Sequence, residues 1–400
     1  MTSYFTEKDK SKCTGCRCCE YICPVGAISM VNDEEGFLYP VVDEDICISC
    51  GLCEKRCPIA SDNVSSVKRL DQPLVYASNN KDKLVLKKSS SGGMFTVLAE
   101  AILNKGGAVV GCVFDEALNP THIIAETKTQ IARMRGSKYI QSNIQDTFPK
   151  TKEILKADRW VLYTGTPCQI AGLRAYLKVD YEKLITVDLV CHGVPSNALF
   201  QEYLSWLECK LKGKVVDYRF RDKTKYGWAS AGSFTYIKND KAHIKQLLPE
   251  TDYYYYYYYL NGNIYRESCY VCSFASSNRE GDFTIADYWD IQKYHSEFYP
   301  PEGVSMILVN TTKGKQVFDE IVDKIRFIPS KLEYALKTNG NLNKPTPRPD
   351  TRDFIYTDIK KLGFEAAAKK HCNLKRITPI LKRAIPYEVK TVIKRLLGKK

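Results

Sequence analysis

Residues 13–24, CTGCRCCEYICP, and residues 47–58, CISCGLCEKRCP, carry nine of the sixteen cysteines and repeat one spacing at an offset of 34 residues. Cys13, Cys16, Cys19 and Cys23 with Pro24 read CxxCxxCxxxCP, and Cys47, Cys50, Cys53 and Cys57 with Pro58 read it again. Three thiolates at this spacing wrap one face of an iron-sulfur cube, and the fourth, turned away by proline, reaches the other cube of a pair. The pattern therefore assigns one 4Fe-4S cluster to Cys13, Cys16, Cys19 and Cys57. It assigns a second to Cys47, Cys50, Cys53 and Cys23, and leaves Cys18 over. Zinc suits the pattern less well, because its ligands come as two separated pairs with no third cysteine and no closing proline. A disulfide framework does not suit a long chain whose first residues show no secretory pattern.

Over roughly its first sixty residues the chain resembles a bacterial two-cluster ferredoxin, with Val25–Met30 and Gly36–Val42 as its expected small hairpins. Four hundred residues with 44% hydrophobic content suit two or three domains with an ordinary core. Met1 to Lys12 is polar, and no apolar run approaches the ~20 residues that span a bilayer. The expected location is cytoplasmic.

Residues 63–72 are polar without apolar periodicity and read as a linker. A new domain begins near Pro73 with the strand Leu74–Ser78. Ser89, Ser90, Ser91, Gly92 and Gly93 then precede a helical pattern, Met94–Leu103, which Gly106 and Gly107 stop. Small hydroxyl and glycine residues at a helix start offer free N–H groups to an anion such as a dinucleotide pyrophosphate, with plain capping as the alternative. Ala108–Phe114 and Thr121–Glu126 read as neighbouring strands. Residues 133–142, RMRGSKYIQS, form a basic loop able to reach a phosphate or acidic substrate through Arg135 and Lys138, or else a solvated loop.

Asn143–Ala157 has helical spacing. The strand Trp160–Tyr163 runs through Gly165, Thr166 and Pro167 into a helix, placing Cys168 at its positive end. Leu184–Val190 repeats the arrangement, delivering Cys191 ahead of the helix Ala198–Leu211. Ligands gather at the carboxyl ends of strands in alternating architectures, so both cysteines belong on that rim. With the CxxC of Cys269 and Cys272 they form the candidate ligands of a third cluster; a zinc site, a redox CxxC and unrelated buried thiols remain open. His192 is an acid–base candidate or a structural histidine. Cys112, Cys209 and Cys372 read as ordinary core or surface residues. Tyr253–Tyr259 reads as a helix that buries some rings and leaves others as an exposed aromatic face suited to contact between subunits, as in a homo-oligomer. Gly303–Asn310 and Lys313–Ile325 read as one more strand and helix, and Leu342–Arg352 as an extended crossing segment. Ile377–Lys400 resembles a basic amphipathic helix, able to touch an anionic membrane surface, though a solvated helix or a protein contact suits it better.

Four stretches occur in the order found in one family: SSGGMFTVLA from Ser90, GTPCQIAGLR from Gly165, DLVCHGVPS from Asp188 and YRESCYVCSFASSNREGDFTIADYW from Tyr265. Between Pro73 and Ile325 the chain resembles the family of coenzyme F420 hydrogenase/dehydrogenase beta subunits, many members of which carry a fused ferredoxin. The resemblance implies bound FAD, a third 4Fe-4S cluster, and an exchange of electrons between a hydride carrier and iron-sulfur centres. By resemblance Ser90, Ser91, Gly92 and Gly93 belong to the FAD-binding turn, Gln169 and Arg174 line the flavin region, and Cys168, Cys191, Cys269 and Cys272 hold the third cluster.

The formal charge of +13 is offset by about −2 for each oxidised four-thiolate cube and about −2 for a flavin dinucleotide. With much of the remainder in Lys375–Lys400 and no nucleic-acid motif, a nucleic-acid partner is not expected. These readings predict an α+β protein. A two-cluster ferredoxin-like domain occupies residues 1–62, a mixed α/β flavin-binding domain 73–345, and an extension with a basic tail 346–400. The expected function is FAD-dependent oxidoreduction of an organic substrate, in exopolysaccharide or other bacterial biosynthesis, with a one-electron partner such as ferredoxin. Coenzyme F420 as the substrate, within a larger complex, is the second reading, and a non-catalytic electron-transfer protein of such a complex the third.

Overall fold

The computed structural model describes residues 4–60, 67–248, 251–298, 300 and 302–371. The first stretch holds an antiparallel hairpin, β1 (Ile28–Asn32) and β2 (Leu38–Val42), whose turn is fixed by the Asp33 carboxylate accepting the N–H groups of Glu35 and Phe37. Short helices, Cys18–Ile22 and Leu52–Lys55, follow the second cysteine of each repeat.

β3 (Arg69–Asn80) comes next, which corrects the expected linker at 63–72. Arg69 pairs opposite Thr311 in the sheet, and residues 61–66 lie outside the described residues. The first half of this strand is polar because its outer neighbour covers only Val75–Asn80, leaving residues 69–74 paired on one side.

Three more strands and a parallel partner follow: β4 (Ala108–Phe114), β5 (Pro120–Ala125), β6 (Val161–Gly165) and β7 (Leu184–Leu189). A separate three-stranded antiparallel sheet, which sequence reasoning did not anticipate, comprises β8 (Lys214–Arg219), β9 (Gly232–Lys238) and β10 (Lys241–Leu247). The chain then returns to the large sheet with β11 (Phe283–Asp287), β12 (Ser305–Thr311) and β13 (Ile325–Ser330). That eight-stranded sheet has the order β13-β3-β12-β11-β7-β6-β4-β5. Its centre, β11-β7-β6-β4, is parallel, and the flanking pairs are antiparallel.

The parallel strands are apolar on both faces, as Val161, Leu162, Leu184 and Ile185 show, because helices cover both sides. Met94–Asn104 and Thr312–Ile321 pack on one face. Thr147–Lys156 and Pro167–Leu177 pack on the other, together with Cys16 and Cys18 of the first cysteine repeat. A third core gathers the helix Asn197–Leu211, the small sheet, Phe37 and Tyr39 of the hairpin region, and the C-terminal helices Arg352–Leu362 and Phe364–His371.

The tyrosine run sits inside this third core, which corrects the expected exposed aromatic face. Tyr253–Tyr259 forms a π-helical turn in which Tyr256 alone is incompletely buried. Aromatic partners on all sides account for this: Tyr254 packs on Phe200 and Tyr203, while Tyr255 and Tyr259 pack on Tyr139. The basic tail 377–400 and Cys372 lie outside the described residues.

The cysteine-repeat region is fixed against the body by polar contacts as well as apolar ones. Arg352 grips the Glu35 carboxylate with both terminal nitrogens, at 2.7 and 2.5 Å, and Ser196 Oγ donates to the Glu35 carbonyl at 2.6 Å.

Candidate functional site

The carboxyl ends of β6, β7 and β11 and the end of β3 reach one rim of the sheet, and the residues after them build the site. At the end of β6, Thr166 and Gln169 form a reciprocal capping box with Pro167 as the first helical residue. This puts Cys168 in the first turn of Pro167–Leu177, its Sγ 3.1 Å from Thr166 Oγ1. After β7, Cys191 leads into Gly193, whose φ of +139° and 2.2 Å approach of an added Cβ to the Tyr265 ring admit glycine alone.

Cys269 and Cys272 are brought to the same place by a buried clamp. Asp188 on β7 pairs with Arg279 at 2.9 Å and accepts the N–H groups of Glu280 and Gly281. Arg279 in turn donates to the carbonyls of Phe274 and Ser276, just after Cys272. Cys168, Cys191, Cys269 and Cys272 consequently line one cavity, together with His192 and Thr14. Burial pushes the Cys168 thiol up to about 11, and burial with repulsion from Cys168 and Cys272 pushes Cys191 up to about 12. Iron binding would displace those protons and offset that desolvation. Four thiols lining one cavity suit a four-iron cube, which takes a cysteine thiolate at each iron. Burial also lowers the pKa of His192.

A second cavity is lined by Cys13, Cys16, Cys19 and Cys57, with the extra Cys18 beside them and Thr14 shared with the first cavity. Cys57, from the second repeat, is near enough to add its repulsion to the burial that raises the Cys16 and Cys19 thiols. Cys23, Cys47, Cys50 and Cys53 lie further out, with Cys50 exposed and Ile46 and Ile48 open to solvent on either side of Cys47.

The Ser90–Gly93 turn occupies the same rim beyond β3. Gly92 N–H donates to Ser305 Oγ, Ser91 Oγ donates to the Val304 carbonyl, and Ser90 Oγ accepts the Ser137 N–H. Gly93 caps Met94–Asn104 with no side-chain hydrogen bond to the first N–H groups, although Gly93 and Met94 are buried, and a positive helix end of this kind favours an anion. Three cations surround the turn. Arg135 Nε donates to Thr96 Oγ1, Lys223 Nζ to the carbonyls of Ser91 and Leu86, and Lys138 Nζ to those of Met134 and Gly136. None of the three is in an ion pair with a described carboxylate. Burial lowers Lys138 and brings Lys223 down to about 8. Beyond Lys223, Arg221 pairs with Asp287 at 3.0 Å, and Trp228 stacks on Trp289.

Two expected flavin contacts are engaged elsewhere. Gln169 closes the capping box and donates to Ser142 Oγ at 3.0 Å. Arg174 reaches Asp282, Thr186 and the Glu280 carbonyl at the amino ends of β7 and β11, away from the Ser90–Gly93 turn. Sequence reasoning missed Lys223 and Arg221, which no motif marks, and gave no role to Arg266 and Arg279, although both lie in the stretch quoted from Tyr265.

Residues 158–333 match the family described as the C terminus of the coenzyme F420 hydrogenase/dehydrogenase beta subunit, and residues 75–147 match its N-terminal counterpart. The chain belongs to this family. Residues 12–61 match a 4Fe-4S dicluster domain, so this beta-subunit homologue is an oxidoreductase with two 4Fe-4S clusters in its N-terminal region. It is similar to the F subunit of the F(420)H(2) dehydrogenase of Methanosarcina mazei, with 23% identity over 336 residues, 79% of this chain and 84% of that protein. It is also similar to the coenzyme F420-dependent sulfite reductase of Methanocaldococcus jannaschii, with 26% identity over 317 residues, 77% of this chain but 46% of that protein. The chain thus spans less than half of the reductase. A chain of the F420-reducing NiFe hydrogenase complex from Methanosarcina barkeri aligns with a TM-score of 0.45 and 17% identity, covering 74% of this chain and 94% of that one. Among the described residues of this beta-subunit homologue, no helix is long and apolar enough to cross a membrane.

Proposed function

We propose that the chain exchanges a hydride with a deazaflavin of the coenzyme F420 type at an FAD held by the Ser90–Gly93 turn, and moves the electrons singly through three 4Fe-4S clusters. The observation that carries this reading is one sheet rim bearing both the cation-ringed turn and the four-cysteine cavity, with Thr14 joining that cavity to the dicluster region. Residues alone rank an unspecified organic substrate first and coenzyme F420 second. The names of the two curated relatives support the second.

A flavin bound there supplies the exchange between a two-electron hydride carrier and one-electron centres. The chain's own groups do the rest. The uncapped N–H groups after Gly93, with Arg135, Lys138 and Lys223, would hold the pyrophosphate, and the unpaired state of these cations fits its charge. Cys168, Cys191, Cys269 and Cys272 would hold the third cluster, with Asp188 and Arg279 fixing the loop that supplies two of them. Cys13, Cys16, Cys19 and Cys57 would hold the inner dicluster site, and Cys23, Cys47, Cys50 and Cys53 the outer one, where exposed Ile46 and Ile48 offer a face to a one-electron protein partner.

The test is anaerobic mixing of the purified chain with reduced coenzyme F420, following the deazaflavin, flavin and cluster absorbances together. Deazaflavin oxidation should accompany bleaching of the clusters. Cys191→Ser should preserve flavin reduction and slow that of the dicluster at least about a hundredfold. Reduced coenzyme F420 left unconsumed by a fully loaded protein would return the substrate to the open reading.

A further inference from the structure

Arg266 is among the bulkiest of the fully buried side chains, with 0% exposure. Three other buried arginines each face a carboxylate, Arg221 with Asp287, Arg279 with Asp188 and Arg352 with Glu35, and the half-buried Arg174 meets Asp282. Arg266 meets none among the described residues. Its nitrogens donate to the carbonyl of Cys13 at 2.6 Å, the carbonyl of Leu38 at 2.9 Å and Gln141 Oε1 at 3.3 Å. Its guanidinium carbon lies 3.9 Å from the centre of the Tyr39 ring. Carbonyl dipoles and an aromatic face offset part of the desolvation of a cation, and full compensation requires negative charge.

Its position says where that charge would come from. Cys13, whose carbonyl it holds, lines the dicluster cavity. Cys269, whose N–H donates to the Arg266 carbonyl at 2.9 Å, lines the other cavity. Thr14, next to Cys13, lines both, and its carbonyl accepts from Gln141 Nε2. The residue that carries the unpaired cation therefore bridges two sets of four cysteines, its guanidinium on the Cys13 carbonyl and its backbone in the turn that carries Cys269. Gln141 answers Arg266 with an amide oxygen while its own N–H serves the Thr14 carbonyl, so no described carboxylate stands against the guanidinium.

We propose that Arg266 is the shared counter-charge of the two clusters that the Cys13 and Cys168 sets would hold, raising the reduction potential of both and so keeping them matched for the electron step between them. This rests on the three-cluster reading above. In that step one electron leaves one reduced cluster and arrives at the other, no bond changes and no proton moves, and Arg266 stays protonated throughout. Each four-thiolate cube carries about −2 when oxidised and gains a further negative charge on reduction, so a neighbouring cation favours the reduced form. Arg266 is a positioning and tuning residue that touches no substrate.

The experiment is an EPR-monitored redox titration of the anaerobically purified full chain, with iron and sulfide counted on the same samples. Three variants are compared: Arg266→Gln removes the charge, Arg266→Lys keeps it, and Gln141→Glu neutralises it in place. Arg266→Gln and Gln141→Glu should each shift two of the three clusters to more negative potential. The expected loss is at least about tenfold in the reduction equilibrium, about 59 mV for one electron. The outer cluster of Cys23, Cys47, Cys50 and Cys53 should stay where it was, and Arg266→Lys should stay near the unaltered protein. Should Arg266→Gln lose iron, an iron-replete Gln141→Glu protein decides alone, since it keeps Arg266 and its contacts to Cys13 and Leu38 and gives up one hydrogen bond, to the Thr14 carbonyl. Unmoved potentials in an iron-replete Gln141→Glu protein overturn the proposal, as does an equal shift of all three clusters. An unaltered protein with two clusters instead of three fails the underlying reading, which the iron count reports separately.

Discussion

Lys223 carries its charge against burial, which brings its pKa down to about 8. A pyrophosphate beside it restores the usual lysine range, so binding takes up a proton once the free protein has lost its own. FAD affinity should therefore be flat below pH 8 and fall as pH rises above it, by up to tenfold per unit. Lys223→Ala should weaken binding at pH 7 and remove the slope, as read by flavin fluorescence titration of the stripped protein. Gly172 makes a different point: an added Cβ would stand 2.9 Å from Cys16 Cβ and 3.1 Å from its Sγ. Gly172→Ala should cost about 1–3 kcal/mol by overpacking and lower the bound iron, measurable by thermal unfolding and iron assay. At this scale the sequence was legible where spacing is local, as in the two cysteine repeats. It passed over Lys223 and gave Arg266 no role within its quoted stretch, because the meaning of Arg266 and Lys223 depends on partners 253 and 132 residues away in the chain.

At the scale of elements, the turn after β6 could be read directly, because Gly165, Thr166, Pro167 and Gln169 encode strand end, cap and first helical turn within a few residues. The small sheet could not. β10, KAHIKQL, lacks apolar alternation because all but its last two residues are exposed. The tyrosine turn could be read as helical but not as enclosed, since periodicity does not report what lies opposite. Asp252 caps that turn by accepting the Tyr255 N–H at 3.0 Å, and burial raises its pKa to about 7. Between about pH 4 and 7 the folded state holds a proton that the unfolded state has released, so this residue's contribution to stability falls as pH rises through that window. Asp252→Asn keeps an acceptor and should stabilise the protein at pH 8 by on the order of 2–4 kcal/mol, with little effect near pH 4. Denaturant unfolding at the two pH values checks this.

In the whole molecule the N-terminal cysteine region is docked and not tethered. Cys16 and Cys18 share a core with the main sheet, Phe37 and Tyr39 share another with the tyrosine turn, and Arg352 clasps Glu35. Glu35→Ala should leave the buried Arg352 with Glu267 alone, at 3.5 Å, and destabilise the docked state by about 1–3 kcal/mol. Proteolysis should then cut between the repeats and β3 faster than in the unaltered chain. The sequence divided the chain correctly into a cysteine region and a mixed α/β body, but polarity at residues 69–72 reads as a linker when it marks a half-paired strand end. The cofactor count of the whole chain tests the account most directly. Anaerobically purified protein should contain one FAD and about twelve irons with matching sulfide, the content of three four-iron cubes. About eight irons and no flavin would contradict it, leaving the dicluster region without the rim site that the catalytic reading requires.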